Sequence, residues 1–269
     1  MTFSLITATL GRVDEVRILC ESLSKQTFKD FELYIVDQNE HHLLEGIVKQ
    51  FSDKIQIHYI RNEKKGLSLN RNIALKIAKG DFFGFPDDDC YYSSNTLEEV
   101  YRTFQENPNA SFVATTTYDS KSKQIQRTTQ KKKIQKKDIL ETCISYNMFV
   151  KKNPALFDEC LGVGTYFSSG EETDYLYSQI HKKNDFGIFC STTSIFHPKN
   201  TTSNKVYNYS LGFAALQKKD WLVRHNPEAL RIYFYYVIRA IGGMLLLKNF
   251  QNHWNSLKGK IVGFIKFKV

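Results

Sequence analysis

Residues 3–39 have the sequence FSLITATLGRVDEVRILCESLSKQTFKDFELYIVDQN, in which two β-rich runs flank one amphipathic segment. The runs 3–10 and 31–39 are rich in β-branched and aromatic residues and predict two strands. Between them, apolar residues recur at the spacing of one helix face: Val13, Val16, Leu19, Cys20 and Leu23. This order of strand, helix and strand indicates an α/β fold.

The same alternation continues as far as residue 89. It predicts helices at 42–51 and 68–80 and strands at 55–62 and 81–89. Strands that alternate with helices of this length imply a mostly parallel sheet with helices on both faces. Ligands of such sheets bind beyond the carboxyl ends of the strands, so polar residues at those ends are candidates for a site.

The rhythm changes after residue 110, where strands no longer alternate regularly with helices. The later elements are predicted strands at 110–118, 144–152 and 186–197 and a helix at 170–183. The lysine-rich stretch 122–138 predicts an exposed loop with a short helix. From about Tyr207 onward the pattern is helical.

Length and composition limit the class of protein. The chain has 269 residues, 42% of them hydrophobic, which is enough for one core with an appendage or for two small domains. The 37 basic and 28 acidic residues give a formal charge of +9, which favours a nucleic acid, a membrane surface or a phosphorylated molecule as partner. Five separated cysteines without a CxxC pair are typical of free thiols in a reducing cytosol. The N-terminus lacks a signal-peptide pattern, so we expect a cytoplasmic protein.

Three adjacent aspartates, Asp87, Asp88 and Asp89, follow the apolar run DFFGFP. Such a run could be no more than a solvated turn after a strand. Unpaired neighbouring carboxylates raise one another's pKa values, however, and a divalent cation would remove that cost. Asp87 and Asp89 would point the same way in an extended segment and could share Mg²⁺ or Mn²⁺. His197, which ends a predicted strand, could complete the metal shell, contact a diphosphate or be structural.

Further polar residues fall at the predicted strand ends and helix starts. Thr7, Thr9 and Asp37 are predicted to line a nucleobase pocket, although Asp37 could simply cap the next turn. Gly66 allows close approach of the backbone to a ligand, and Arg71 could reach ribose or phosphate from the first turns of a helix. The alternative for Gly66 and Arg71 is that they belong to an ordinary helix start with a solvated charge.

The helix predicted at 170–183 begins with Glu171, Glu172 and Asp174. Acidic residues are common in the first turn of a helix because they interact favourably with its dipole. Three glycines precede these acids, at positions 162, 164 and 170, and a flexible lead-in could bring one carboxylate to a substrate hydroxyl as general base.

The apolar C-terminal segment has three interpretations. A transmembrane helix needs about 20 predominantly apolar residues, and Arg239 with the Gly242–Gly243 pair interrupts this one. The other two are a helix packed on the catalytic core and an interfacial helix on an anionic membrane surface. Lysines that alternate with Trp254, Phe264 and Phe267 are typical of the interfacial helix, and the sequence leaves these two interpretations equally open.

In their order, these motifs resemble those of family 2 glycosyltransferases, nucleotide-diphospho-sugar enzymes with the GT-A fold. The resemblance covers most of residues 1–200. It is carried by SLITAT, the strand ending in Asp37, KGLSLNRNIALKIAKGD entering FFGFPDDDC, and FDECLGVGTYFSSGEETDYLYSQI. The tail RAIGGMLLLKN…LKGKIVGF is similar to the end of bacterial members that build capsule or surface polysaccharide on lipid carriers.

The resemblance implies a role for each matching residue. The implied nucleotide-sugar-binding residues are Thr7, Thr9, Arg12, Asp37, Gly66, Arg71, Asp87 and Asp88. Asp87 and Asp89 fall on the family's DxD motif, which implies that they hold Mn²⁺ or Mg²⁺; the metal ligands predicted for this chain are thus Asp87, Asp89 and, from its own position, His197. Glu172 takes the place of the family's usual aspartate base, and Glu171 and Asp174 stay open as alternatives.

The implied fold is a Rossmann-like mixed, mostly parallel sheet in a catalytic domain at 1–205, followed by a helical segment at 206–269. Its nucleotide-sugar half would span about 1–110 and its acceptor half about 111–205. The implied activity is inverting transfer from a nucleotide-diphospho-sugar, with a UDP-sugar favoured, to a glycan or lipid-linked acceptor, in the cytoplasm or on the inner face of the cell membrane. A nucleotide-sugar-binding protein without catalysis is the alternative. The DxD motif and the acidic stretch GEETD are both intact, which argues against it. A nucleic acid is not expected as partner, because the basic stretch 121–138 contains no aromatic residue.

Overall fold

The computed structural model describes residues 1–153, 155–180, 185–199, 203–246 and 249–268. Residues 181–183 of a predicted helix, and Leu247 and Lys248 of the predicted C-terminal helical segment, lie outside the described residues. The strands are β1 (Phe3–Thr9), β2 (Phe31–Asp37), β3 (Gln56–Arg61), β4 (Phe82–Gly84), β5 (Tyr91–Tyr92), β6 (Phe112–Asp119), β7 (Ile125–Arg127), β8 (Lys133–Ile134), β9 (Met148–Lys151) and β10 (Gly187–His197). The α-helices are α1 (Asp14–Ser24), α2 (Glu45–Phe51), α3 (Leu67–Leu75), α4 (Thr96–Glu106), α5 (Ile139–Thr142), α6 (Glu171–Gln179), α7 (Ser203–Leu222), α8 (Pro227–Leu245) and α9 (Phe250–Lys266), with 3-10 turns at Lys136–Asp138 and Ser145–Asn147.

The strands form one mixed sheet in the order β3-β2-β1-β4-β9-β6-β10-β5, with β7 on β6 and β8 on β10. The longest ladders, β1 with β2, β2 with β3 and β6 with β10, are parallel, and β9 runs antiparallel between β4 and β6. The predicted α/β class with a mixed, mostly parallel sheet is confirmed.

The described chain divides into two compact units. The first comprises Met1–Lys65, Leu69–Leu156 and Tyr175–Lys199, and the second comprises Gly66–Ser68, Phe157–Asp174 and Asn200–Val269. The predicted catalytic domain at 1–205 and its two halves stay predictions. All five cysteines are free thiols, as predicted.

The core of the first unit lies between its helices and the sheet. Every residue of β1 and β2 is buried, because parallel strands inside a sheet are covered on both faces. Helix α1 buries one apolar face, and the ring of Phe104 in α4 stacks on Phe82 of β4 with 4.2 Å between centroids. Parallel pairing places Thr9 opposite Asp37, so the polar carboxyl ends of β1 and β2 lie side by side.

Helices α7, α8 and α9 make up most of the second unit. Gly259 and Gly263 of α9 are buried against α7, where a Cβ on Gly259 would lie 2.5 Å from the Tyr207 carbonyl oxygen and one on Gly263 would overlap that of Leu211. Glycine is therefore required for the two backbones to approach this closely. Helix α8 packs on α9 through Tyr233 and Phe264, whose ring centroids are 4.5 Å apart. Across the described ranges, the structure contains no helix whose length and apolar character would let it cross a bilayer.

Two predicted boundaries and one predicted loop are wrong. The strand predicted at 81–89 ends at Gly84, because Pro86 follows and a turn begins in which Cys90 N donates to Asp87 O at 3.1 Å. The helix predicted to reach Gly80 ends at Leu75, where the chain leaves to join β1: Gly80 N donates to Ser4 Oγ at 2.8 Å. The stretch 122–138 contains strands β7 and β8, since β6 and β10 each offer an edge for pairing.

Candidate active site

The three acids of the triplet lie in the turn that follows β4, beyond the carboxyl end of that strand. The predicted reason for their convergence, alternation along an extended segment, is wrong because Asp88 and Asp89 occupy a turn. Asp87 and Asp89 nevertheless face a common point, the imidazole of His197. Their orientation is fixed by two arginines.

Asp87 is oriented by Arg71, whose side chain is fully buried. Arg71 Nη2 donates to Asp87 Oδ1 at 2.9 Å, and Ser145 Oγ donates to the same oxygen at 3.0 Å. The guanidinium also lies 6.0 Å from the centre of the Phe85 ring. With Oδ1 held in this way, Asp87 Oδ2 is left 3.7 Å from His197 Nε2.

Asp89 is oriented by Arg12. Arg12 Nη1 forms ion pairs with Asp89 Oδ2 and, at 2.8 Å, with Asp88 Oδ1. Asp89 Oδ1 is then turned to His197 Nε2, at 3.0 Å. Asp88 thus pairs with the arginine and does not belong to the group around the imidazole.

His197 is the last residue of β10, and its place depends on the register of that strand against β6, where it lies opposite Asp119. Its ring stacks on Tyr146, with centroids 4.4 Å apart and planes at 5°. The stacking fixes the ring plane, so Nε2 points at the two carboxylates.

Asp87, Asp89 and His197 together suit a divalent cation. Each offers one ligand atom, and these atoms lie within 4.8 Å of one another. Carboxylate oxygen and imidazole nitrogen are ligands that Mn²⁺ accepts, whereas Mg²⁺ prefers oxygen alone. The chemistry and spacing of this donor set therefore fit the predicted cation.

The charges of this cluster shift its pKa values in opposite directions. Burial, with help from the charges of Asp89 and Asp87, raises the pKa of Asp88 to about 6 despite Arg12. Burial alone would raise the pKa of Asp89, but the hydrogen bond and charge of His197, together with Arg12, lower it on balance. Burial would lower the pKa of His197, and the two carboxylates outweigh it and raise that pKa.

Asp37, which the sequence places in a nucleobase pocket, has its carboxylate engaged by hydrogen bonds from within the protein. This carboxylate is fully buried; Oδ1 accepts from Asn39 N at 2.9 Å and Asn39 Nδ2 at 2.7 Å, and Oδ2 accepts from the Tyr59 hydroxyl at 2.6 Å. This is the geometry of the turn-capping alternative, and the base-binding role stays a prediction. On β1, Thr9 is buried opposite Asp37, and Thr7 is buried opposite Ile35.

The remaining predicted site residues belong to the second unit. Gly66 has φ of +139°, a conformation that favours glycine. Glu171 is buried, with its side chain against Gly162. Asp174 is also buried and forms ion pairs with Lys219 Nζ at 2.8 Å and Arg224 Nη2 at 2.7 Å. Glu172 is half-buried and pairs with no charged residue in the described part of the chain.

Sequence reasoning missed four residues that orient this site: Asn39, Tyr59, Ser145 and Tyr146. Asn39 lies two residues after Asp37 and offered a local signal, since an aspartate side chain commonly caps a turn by accepting from the backbone N–H two residues on. The other three approach from distant parts of the chain, so no spacing in the sequence could have found them.

Comparison with protein families decides the family. Residues 4–167, more than half of the chain, match the model described as "Glycosyl transferase family 2". The chain belongs to glycosyltransferase family 2. The matched range contains the acidic triplet and ends before Glu171, so the match covers the cation cluster except for His197.

Among curated relatives of this family 2 glycosyltransferase, an "Uncharacterized glycosyltransferase" of Haemophilus influenzae is 35% identical over 111 residues, 41% of this chain and 37% of the relative. The "Poly(ribitol-phosphate) beta-N-acetylglucosaminyltransferase TarS" of Staphylococcus aureus is 32% identical over 104 residues, 37% of this chain and 18% of TarS. The chain spans less than half the length of the curated relatives it matches.

Solved structures show the same fold. The fragment 1–349 of S. aureus TarS has a TM-score of 0.71 at 20% identity, over 98% of this chain and 81% of the fragment. Its complex with UDP-GlcNAc has a TM-score of 0.65 at 17% identity, over 97% of this chain and 91% of the solved chain. The mannosyltransferase PcManGT of Pyrobaculum calidifontis, in complex with GDP-Man and Mn²⁺, has a TM-score of 0.65 at 11% identity, over 98% of this chain and 86% of PcManGT. These likenesses establish the GT-A fold.

Proposed function

We propose that this family 2 enzyme is an inverting glycosyltransferase that moves a sugar from a nucleotide-diphospho-sugar to an acceptor hydroxyl in bacterial cell-surface glycan synthesis. One observation carries the proposal: Asp87 Oδ2, Asp89 Oδ1 and His197 Nε2 face one another at the sheet edge where ligands of such folds bind. A UDP-sugar is the favoured donor, supported by the UDP-GlcNAc complex of the TarS fragment. A polysaccharide or lipid-linked glycan is the proposed acceptor, supported by the poly(ribitol-phosphate) named for TarS.

We assign Mn²⁺ or Mg²⁺ to this cluster, with Asp87, Asp89 and His197 as its protein ligands. PcManGT, with its Mn²⁺, supports the assignment. The bound cation would neutralise the negative charge that grows on the departing nucleoside diphosphate. Three protein ligand atoms leave coordination positions of the cation open, and the phosphate oxygens of the nucleotide-sugar can fill them.

The two arginines keep the acids ready for this task. Arg71 and Arg12 each engage one oxygen of their carboxylate, so neither Asp87 nor Asp89 can rotate its other oxygen away from His197 without breaking an ion pair. Such fixed groups need no reorganisation when charge develops. Arg71 therefore acts as a positioning residue, and its predicted direct contact with the nucleotide stays a prediction.

Glu172 is the proposed general base. Its carboxylate takes the proton of the acceptor hydroxyl, whose oxygen bonds to the anomeric carbon as the bond from that carbon to the diphosphate breaks on the opposite side. This inverts the anomeric centre. Within its own unit, Glu172 is the acid best suited to the role, because Asp174 is engaged by two cations and Glu171 is buried.

We further propose that the enzyme works in the cytoplasm, against the inner face of the cell membrane, where a lipid-linked acceptor would be found. The positive net charge supports this location, since the cytoplasmic leaflet is anionic.

The test uses Asp89→Asn, which keeps the shape of the side chain and removes its charge. Donor affinity of the purified protein is measured by calorimetry with a panel of nucleotide sugars, in Mn²⁺ and in chelator, and transfer is measured as release of nucleoside diphosphate. We expect at least one donor to bind only with metal and Asp89→Asn to lose that dependence. The matched control is Asp14→Asn, on an exposed aspartate of α1, which should behave as the unmodified protein.

Equal donor affinity with and without chelator would refute the cation site. Metal-dependent binding without transfer or hydrolysis, for every sugar and acceptor tried, would instead favour the non-catalytic nucleotide-sugar-binding protein.

A further inference from the structure

The exposed faces of helices α8 and α9 are unusually apolar for a surface. On α8, Phe234, Ile238, Ile241 and Leu245 are spaced so that they form one stripe along the helix, and they are 41–79% exposed. Tyr235 and Leu246 flank this stripe at 59% and 75% exposure. Exposed apolar patches of this kind mark interaction sites.

Helix α9 repeats the pattern. Phe250, Trp254, Ile261 and Ile265 recur at helical spacing and are 45–70% exposed. They lie opposite the face on which Gly259 and Gly263 pack against α7, so this stripe does not serve the packing of the three helices. The packing of the three helices therefore leaves this stripe at the surface.

The bend between the two helices concentrates these side chains. Leu245 and Leu246 end α8, and Phe250 and Trp254 occupy the first two turns of α9. Gly243 of α8 packs directly against the ring of His253, so the end of α8 and the start of α9 are neighbours. We call these four exposed residues, Leu245, Leu246, Phe250 and Trp254, the hairpin tip.

The charge of the same region selects the partner. Residues 203–269 contain eleven lysines and arginines and two acidic residues, while residues 1–202 contain 26 basic and 26 acidic residues. The whole net charge of +9 is therefore carried by the C-terminal helices. Arg231, Arg239, Lys258, Lys266 and Lys268 are exposed there beside the apolar stripes.

We propose that this surface docks on an anionic lipid bilayer, with the hairpin tip inserted among the lipid headgroups and the lysines and arginines against anionic headgroups. Apolar stripes with flanking cations are what interfacial helices present to such surfaces. A second copy of this chain fits less well, because its matching surface would bring two strongly basic faces together. This inference rests on the membrane location proposed above and assigns it to particular residues.

The test is flotation of the full-length protein with vesicles, without donor. We expect binding to vesicles of phosphatidylcholine with phosphatidylglycerol, and weak binding to phosphatidylcholine alone. The variant Leu245→Ser/Leu246→Ser/Trp254→Ser should lower the partition coefficient at least about tenfold, since three exposed apolar side chains lose their insertion. Its matched control is Leu43→Ser/Ile77→Ser/Ile125→Ser, three comparably exposed residues of the first unit, which should bind as the unmodified protein does.

A charge variant separates the two contributions. Arg231→Gln/Lys258→Gln/Lys266→Gln should lower the affinity for anionic vesicles by about a hundredfold. Lys49→Gln/Lys54→Gln/Lys121→Gln removes the same charge from exposed positions of the first unit and should change it little.

Three results would overturn the inference: no flotation of the unmodified protein, equal binding to neutral and anionic vesicles, or equal losses in variants and controls. A dimer in sedimentation velocity that the tip variant dissociates, without flotation, would assign the surface to self-association. Metal-dependent donor binding, measured in parallel without vesicles, should be unchanged in the tip variant. Failure of donor binding with intact flotation would remove the proposed enzyme activity and leave the docking surface.

Discussion

Glu171, Glu172 and Asp174 are neighbours in the first turn of α6, yet the structure gives them different surroundings. Asp174 is buried between Lys219 and Arg224, Glu171 is buried against Gly162, and Glu172 is half-buried. The sequence left the base undecided among the three because a helix turns about 100° per residue. Neighbouring acids therefore point to different environments that only the fold supplies.

The assignment of Glu172 can be tested by isosteric changes. Glu172→Gln removes the carboxylate that accepts the proton and should lower kcat by about 10²- to 10⁴-fold, with donor affinity unchanged. Asp174→Asn should instead lower the free energy of unfolding, by about 1–3 kcal/mol, because two half-buried cations each lose one ion-pair partner at a buried carboxylate. Turnover assays and chemical denaturation of both variants give the answer. Near-normal turnover of Glu172→Gln would move the role to Glu171.

Lys260 is a residue whose cost to stability depends on pH. It is buried in α9, and burial, with the charge of Arg239, lowers its pKa to about 8. The unfolded chain keeps the ordinary pKa of about 10.4, so it binds more protons than the native protein between these values and stability rises with pH there. The penalty is complete below pH 8 and has gone above about pH 10.4.

We therefore expect Lys260→Met to raise the free energy of unfolding at pH 7 by about 1–3 kcal/mol. The measurement is urea denaturation of both proteins from pH 7 to pH 10.5. The difference in free energy of unfolding between the two proteins should shrink as pH rises. Taking this difference cancels the titration of the groups that both proteins share. A difference that does not change with pH would mean that Lys260 is not buried as a cation.

At the scale of elements, sheet and helix order followed from the sequence, and boundaries did not. The βα alternation of residues 3–80 could be recognised because apolar spacing distinguishes helices from strands. Strand β4 was predicted too long since its apolar run continues to Phe85 although pairing with β1 and β9 ends at Gly84. Strands β7 and β8 were missed because short edge strands are set by the edge they pair with.

The packing of α9 on α7 gives a test at this scale. Gly263→Val would place side-chain atoms against the Leu211 carbonyl and the Ala214 methyl group, so the helices must move apart. We expect a loss of about 1–3 kcal/mol in the free energy of unfolding, measured by denaturation followed by circular dichroism.

Gly242→Ala is the matched control for Gly263→Val. No atom lies within 4 Å of a Cβ at Gly242, in the interior of α8, so alanine should stabilise the helix by about 0.5–1 kcal/mol. Equal losses in the two variants would mean that glycine is not needed for close approach of α9 to α7.

For the whole molecule, ligand binding should raise the free energy of unfolding. A donor product such as UDP, with Mn²⁺, binds the native state and not the unfolded chain, so at 100 times its Kd it stabilises by about 2.7 kcal/mol. We expect the Tm to rise by several degrees in a thermal-shift assay and the rise to vanish with chelator. Asp89→Asn should abolish it and Asp14→Asn should retain it. A rise that survives in chelator would contradict a cation held by Asp87, Asp89 and His197.

The sequence by itself determined the α/β class, the family, the candidate acids and histidine, and a basic, apolar C-terminus. It could do so because these depend on local periodicity, on residue type and on the order of motifs. Only the tertiary structure decided that Arg12 and Arg71 turn Asp89 and Asp87 to His197, that Tyr146 fixes that ring, and that internal donors occupy Asp37. These contacts join residues up to 110 positions apart in the chain, which is the separation of Asp87 from His197, and long-range pairing has no periodicity in the chain for sequence reasoning to detect.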